Sequence, residues 1–548
     1  MLLSYRLLAG WCFVVGLLIS CGVLSSALNT DATTPATKIM VREIDMTRVI
    51  TSLGVIRGDV STYDPAIRVF RGIPYAAPPV AKLRWQSPQP ADSWQGELDA
   101  TVFGTSCYQE RHTSAFVWRR EDFSVSEDCL YLNIWSEQDA ESRPVMVWFH
   151  GGAHTSGQGH SRIFDGTELA RQGVVLVTIN YRLGPFGYLA HPWLAEESPG
   201  SSAGNYGEMD KIAALQWVQD NILAFGGDPS NVTIFGQSAG SQSVCTLMAS
   251  KRATGLFHKA IGQSASCLNP DSIRDLDGRE RGSRLVEQLA VGNIEELRAA
   301  DPEALLVAAA ETGWGAMSRI VIDGDILQEP HVDTYRRGGQ ARVPLMIGSL
   351  ANEGYELFPF DCSLTEAELS ESLERQFGSD GEALMGLYAE VGSSGAIQHE
   401  IATDLFMAFG MRRWAEYQAV ADADTYLYFM THDTPAFHLY MSDSDTLSLP
   451  GGPRSAGAYH SGDLAFVFGS MDKVGTDWND ADRELSRTMV GYWTNFARTG
   501  SPNGEGLPDW QAFDRLNHAT QVFGTQSVKS TLGVRREKLD LMAKTYPF

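Results

Sequence analysis

The chain has 548 residues, of which 43% are hydrophobic and 20% charged, an ordinary balance for a folded globular protein. That balance excludes a disordered chain, a collagen-like repeat and a multi-span membrane protein; at about 150 residues per domain the length suits three or four units or one enlarged α/β fold. Lysine and arginine total 43 against 67 acidic residues, a net charge of −24, and a surface that acidic repels phosphate backbones and so disfavours nucleic-acid binding.

At the N-terminus, Arg6 is the only charged side chain before Asp31, and the apolar run Leu7–Ile19 is too short to span a membrane comfortably. Residues 1–27 read as a secretory signal peptide and residues 28–45 as a linker to a domain covering 46–548. Two cleavage sites compete: Ser25-Ser26-Ala27 has the small residues that signal peptidase takes, while Leu18-Ile19-Ser20-Cys21 resembles a bacterial lipobox, in which Cys21 would be lipidated. The expectation is export, secreted or periplasmic, with membrane contact only through such an anchor. Beyond the signal stand Cys107, Cys129, Cys245, Cys267 and Cys362, an odd number in a disulfide-permissive compartment. None has CxxC or zinc-like spacing, so neither a metal nor a cofactor is expected. One sequon, Asn231-Val232-Thr233, is few for a secreted chain of this length.

Along the chain, short apolar runs alternate with glycine-rich turns and helical patterns. Strands are predicted at Val145–Phe149, leading into His150-Gly151-Gly152, and at Val174–Ile179. Ile212, Leu215, Val218, Ile222 and Phe225 recur at helical spacing, which predicts an amphipathic helix over Lys211–Phe225 ended by Gly226-Gly227-Asp228-Pro229. Further strands are predicted at Val232–Phe235, Val343–Ile347 and Thr425–Met430. Nearly continuous apolar strands alternating with helices imply an α/β fold, a mostly parallel sheet covered on both faces. The stretch from about 280 to 425 is richer in helix than strand and reads as a largely helical insertion.

The strongest chemical signal is Gly236-Gln237-Ser238-Ala239-Gly240, between the Val232–Phe235 strand and a helical run at Ala239–Ala249. A serine hydroxyl needs a base to become a nucleophile, and G-x-S-x-G presents it on a strained strand-to-helix corner. Attack on an ester puts charge on the carbonyl oxygen, which backbone N–H groups must meet; Ala239 offers one, and Gly151 and Gly152 are the candidates for the others.

With these segments in order, the chain resembles the type B carboxylesterases, α/β hydrolases that include cholinesterases, bacterial para-nitrobenzyl esterases and some fungal lipases. The resemblance runs from about Gly54 to the C-terminus, on Gly72-Ile-Pro-Tyr-Ala-Ala-Pro-Pro79, Leu83-Arg84-Trp85, Ser126-Glu-Asp-Cys-Leu-Tyr-Leu-Asn133, Asn180-Tyr-Arg-Leu-Gly-Pro-Phe-Gly187 and Phe225 through Gly240. It implies Glu353, in Asn352-Glu353-Gly354 after the Val343–Ile347 strand, as the triad acid, and His460, in Tyr459-His460-Ser461, as the base. Seven histidines follow Ser238, and from the residues alone His432, just after the Thr425–Met430 strand, is a rival. The resemblance also implies a Cys107–Cys129 disulfide and a supporting role for Ser264 beside the acid, although Ala265 stands where the family more often has glycine. Asp463 reads as a residue behind the triad or a helix cap. No pairing for Cys245, Cys267 and Cys362 follows.

The implied activity is serine carboxylesterase, acting on a small-molecule ester. Gln237 replaces the glutamate that cholinesterases carry before the nucleophile, and Trp118, inside the Cys107–Cys129 loop, reads as pocket wall or packing more than as a cation box. A lipase, a cholinesterase-like enzyme, a thioester, amide or aromatic-polyester-fragment hydrolase, and a binding or adhesion relative are the alternatives; the last would lack a triad residue. Acyl and alcohol preference and oligomeric state are not legible.

Overall fold

The computed structural model describes residues 46–110, 123–198, 202–270, 278–314, 320–357, 361, 363–435, 457–474 and 477–546. The expected signal peptide and linker, Cys21, Trp118 and Cys362 lie outside them. Among the described residues no helix is long and apolar enough to cross a membrane.

The frame is an eleven-stranded sheet: β1 (Asp59–Val60), β2 (Ile67–Pro74), β3 (Tyr131–Glu137), β4 (Arg143–Phe149), β5 (Val175–Ile179), β6 (Gly227–Gln237), β7 (Lys259–Gln263), β8 (Leu345–Leu350), β9 (Thr425–Met430), β10 (Ala519–Phe523) and β11 (Val528–Leu532). Its spatial order is β1-β2-β3-β5-β4-β6-β7-β8-β9-β10-β11. The block from β5 to β10 is parallel throughout, while β1, β2 and β3 on one side and β11 on the other run antiparallel. This is the α/β architecture expected.

Strand periodicity divides the core in two. Val145, Val147 and Phe149 of β4 face one cluster with helices α1 (Tyr206–Asn221), α2 (Ala239–Ala249) and α3 (Phe409–Val420); Met146 and Trp148 face the other, against α4 (Asp480–Thr499). A sheet dry on both sides explains why its strands read as apolar runs without alternation.

Three expectations change. The helix predicted over Lys211–Phe225 begins at Tyr206, and Ile222–Phe225 is a separate 3-10 turn closed by Gly226 at φ 85°. It is not amphipathic in the simple sense, because Glu208, Asp210 and Lys211 lie on its buried side. The 280–425 stretch is not one insertion: β8, between β7 and β9 in the sheet, divides it into two helical excursions with satellite cores of their own.

Cys107 and Cys129 are disulfide-bonded, as the resemblance implied, and so are Cys245 of α2 and Cys267, beyond β7. Each pair is separated by 22 residues, a loop whose closure stabilises by about 3 kcal/mol through the unfolded chain. Replacing Cys245 and Cys267 together by alanine is expected to lower the unfolding free energy by about that amount in urea titration; an unchanged midpoint and slope would contradict it.

Candidate active site

The candidate residues gather beyond the carboxyl ends of the parallel strands, the usual place for a site in an open α/β sheet. Ser238 follows β6 and Glu353 follows β8, while His460 lies on the connection from β9 to α4. Ser238 caps α2 at φ 55°, ψ −125°, a conformation that costs a non-glycine residue of order 1–3 kcal/mol. Its position is overdetermined: the Ser238 N–H donates to the Gln263 carbonyl at 2.8 Å, and its carbonyl accepts from Gln242 N–H at 2.9 Å. The flanking glycines are required by contact. A Cβ at Gly240 would stand 1.9 Å from the Phe149 carbonyl oxygen, so only glycine lets α2 begin this close to β4.

The acid and base meet directly. His460 Nδ1 lies 2.5 Å from Glu353 Oε2, and both side chains are at most 1% exposed. Glu353 Oε1 accepts from the Leu350 N–H at 2.6 Å, which fixes the carboxylate. A carboxylate only accepts, so the proton between the pair sits on Nδ1 and Nε2 carries the lone pair that a base uses. Gln237 Nε2 lies 3.2 Å from that nitrogen. Gln237 is therefore a buried neighbour of the base, packed where a Cβ on Gly151 would meet its Oε1 at 2.6 Å. Gly151 lies against Ser238, where an added Cβ would stand 3.1 Å from the Ser238 Cβ, and Ala239 opens α2.

Other candidates fall differently. Ser264, at φ 56°, makes no side-chain hydrogen bond among the described residues, so its hydroxyl does not hold Glu353; the Leu350 N–H does. Asp463 does not cap the following helix with its side chain. Its Oδ2 accepts from Gln263 Nε2 at 2.8 Å and from the Tyr428 hydroxyl at 3.1 Å. His432, the rival base, is committed to Asp482 at 2.7 Å and stands edge-on to Phe466.

Burial, only partly offset by the Gln263 hydrogen bond and reinforced by Glu353, pushes the Asp463 carboxyl up to about 6. The folded state thus holds this proton more tightly than the unfolded chain. The linked stability is fully present below about pH 4 and lost as pH rises through about 6, about 3 kcal/mol over that window. Asp463→Asn is expected to flatten the fall in unfolding free energy between those pH values; identical slopes in both proteins would exclude the linkage.

The sequence did not single out His154, Tyr181, Glu208, Lys211 or Ser243, all buried directly behind the oxyanion segment. A signal for one was present: Lys211 lies on the same helical stripe as Leu215, Val218 and Ile222, where a solvated lysine does not belong.

Comparison with known proteins agrees with this architecture. The family model described as "Carboxylesterase family" matches residues 45–542. The chain is 34% identical to para-nitrobenzyl esterase of Bacillus subtilis (strain 168) over 495 residues, covering 87% of this chain and 95% of that protein. It is 32% identical to fumonisin B1 esterase of Sphingopyxis macrogoltabida over 499 residues, covering 86% and 84%. Among solved structures, a thermophilic PNB esterase superposes with a TM-score of 0.77 at 30% identity over 91% of this chain and 100% of its own. A Geobacillus stearothermophilus carboxylesterase does so with 0.76 at 33% over 90% and 99%. By family, sequence and fold together, this chain belongs to the type B carboxylesterases and is a carboxylic ester hydrolase with the α/β-hydrolase fold.

Proposed function

We propose that the protein hydrolyses carboxylic esters through an acyl-enzyme on Ser238, with His460 as general base and acid and Glu353 as its orienting partner. The observation that carries this reading is the buried His460–Glu353 contact, which sets the imidazole tautomer a base requires, at the same sheet edge as the strained Ser238 corner. Nε2 takes the Ser238 proton as the hydroxyl attacks the ester carbonyl, exchanging its contact with the Gln237 amide for one with Ser238. The N–H groups of Gly151, Gly152 and Ala239 receive the oxyanion. Protonated His460 gives its proton to the leaving alkoxide, then activates water to release the acid.

Gln237 adds no charge beside the nucleophile, which supports neutral esters over cationic ones. The two disulfides are in keeping with export to an oxidising compartment. The test is hydrolysis of para-nitrophenyl acetate, butyrate and octanoate, with an early burst of nitrophenol expected wherever deacylation limits turnover. A folded protein that turns over none of the three would sink the reading.

A further inference from the structure

Six buried side chains, Glu208, Lys211, Tyr188, Ser243, His154 and Tyr181, form one continuous network behind the candidate oxyanion segment. At its centre, Lys211 Nζ and Glu208 Oε1 stand 2.9 Å apart, a turn from each other on α1 and both wholly buried. Lys211 also donates to the Tyr188 hydroxyl at 3.1 Å and the Gly207 carbonyl at 3.2 Å, and Tyr188 in turn donates to Glu208 Oε1 at 2.9 Å.

From this pair two arms reach the two halves of the candidate oxyanion hole. In the first, the Ser243 hydroxyl donates to Glu208 Oε1 at 2.8 Å. His154 Nε2 lies 2.9 Å from the Ala239 carbonyl and 3.1 Å from Ser243 Oγ. A carbonyl only accepts, so His154 carries its proton on Nε2 and donates forward to Ala239. Ala239 thus has its carbonyl held by His154, while its N–H, the first of α2, is the proposed donor to the oxyanion. In the second arm, Lys211 Nζ sits 3.4 Å from the centre of the Tyr181 ring, a cation–π contact. The Tyr181 hydroxyl donates to the His150 carbonyl at 2.7 Å, and its ring stacks on His150 at 4.3 Å. His150 immediately precedes Gly151 and Gly152.

We infer that Glu208 and Lys211 are positioning residues that lock the two halves of the oxyanion hole, the α2 start and the Gly151–Gly152 turn, in one fixed relation. This rests on the esterase reading above. A buried ion pair is weak support for stability, because desolvation costs as much as the attraction returns, and an apolar pair of similar volume often folds as well. Oxyanion stabilisation, by contrast, depends on donors held within tenths of an ångström before charge develops. Burial alone would raise Glu208, but Lys211 and His154 outweigh it and hold the carboxyl below its usual range, whereas at Lys211 burial outweighs Glu208 and lowers the ammonium.

The test compares wild type, Glu208→Gln and the paired Glu208→Leu/Lys211→Met on para-nitrophenyl butyrate, alongside the affinity of a trifluoromethyl ketone, which adds to the serine as a tetrahedral oxyanion. The paired variant is expected to melt near wild type, with kcat about 30-fold lower, KM within about threefold, and ketone affinity weakened in parallel with kcat. Glu208→Gln keeps an acceptor for Ser243 and is expected to recover about tenfold of that loss. A folded paired variant with kcat and ketone affinity within about threefold of wild type would overturn the inference, as would a kcat loss that leaves ketone affinity unchanged. Failure of the underlying reading looks different: wild type itself would neither turn over the ester nor bind the ketone.

Discussion

Ser238→Ala is expected to lower kcat on para-nitrophenyl butyrate by about 10⁵-fold while KM stays within a few-fold. In the proposed mechanism Ser238 supplies the group that bonds covalently to substrate, and no neighbouring hydroxyl substitutes for it. Binding is unaffected because the pocket and the Gly151, Gly152 and Ala239 N–H groups remain. Stability is expected to move by less than about 1 kcal/mol, since alanine meets the same left-handed backbone strain at φ 55° and the turn is held by main-chain bonds to Gln263 and Gln242. A variant that keeps more than about a hundredth of wild-type turnover would place the nucleophile elsewhere.

Glu353→Gln tests the orienting group and is expected to cost about 10⁴-fold in kcat. The carboxylate now accepts at both oxygens, from His460 Nδ1 and from the Leu350 N–H. A glutamine keeps one acceptor for Leu350 but turns its NH₂ toward Nδ1. The imidazole would then accept at Nδ1 and carry its proton on Nε2, the wrong tautomer for removing the Ser238 proton. The buried positive charge that forms on His460 during attack would also lose its counter-charge. Stability measured by urea unfolding separates this from misfolding: a loss of activity with unchanged unfolding is expected, and activity within about tenfold of wild type would contradict the role.

Much of this was legible in the sequence, for physical reasons that differ by element. The strand Thr425–Met430 and the helix Ala239–Ala249 were readable to the residue because a nearly uninterrupted apolar run and a helical run opened by the glycine-flanked Ser238 turn admit few other structures. The candidate acid and base, Glu353 and His460, came only through the resemblance, because residues 115 and 222 positions beyond Ser238 meet only when the sheet folds. The Cys245–Cys267 bond was hidden because α2 and the end of β7 become neighbours only through the parallel pairing of β6 with β7. Glu208 and Lys211 were not singled out, since spacing shows which residues share a stripe but not that a charge on the buried stripe has partners. Ser264 shows the reverse: the motif brought it to the right region, while the local φ of 56° leaves its hydroxyl off the carboxylate it was expected to hold.

Whether Ser238 is the covalent nucleophile is read by peptide mapping with mass spectrometry after treatment with a fluorophosphonate. A single stoichiometric adduct is expected on the peptide carrying Ser238, formed at the rate at which esterase activity disappears and absent in Ser238→Ala. An adduct on another residue, or full loss of activity with Ser238 unmodified, would contradict that role.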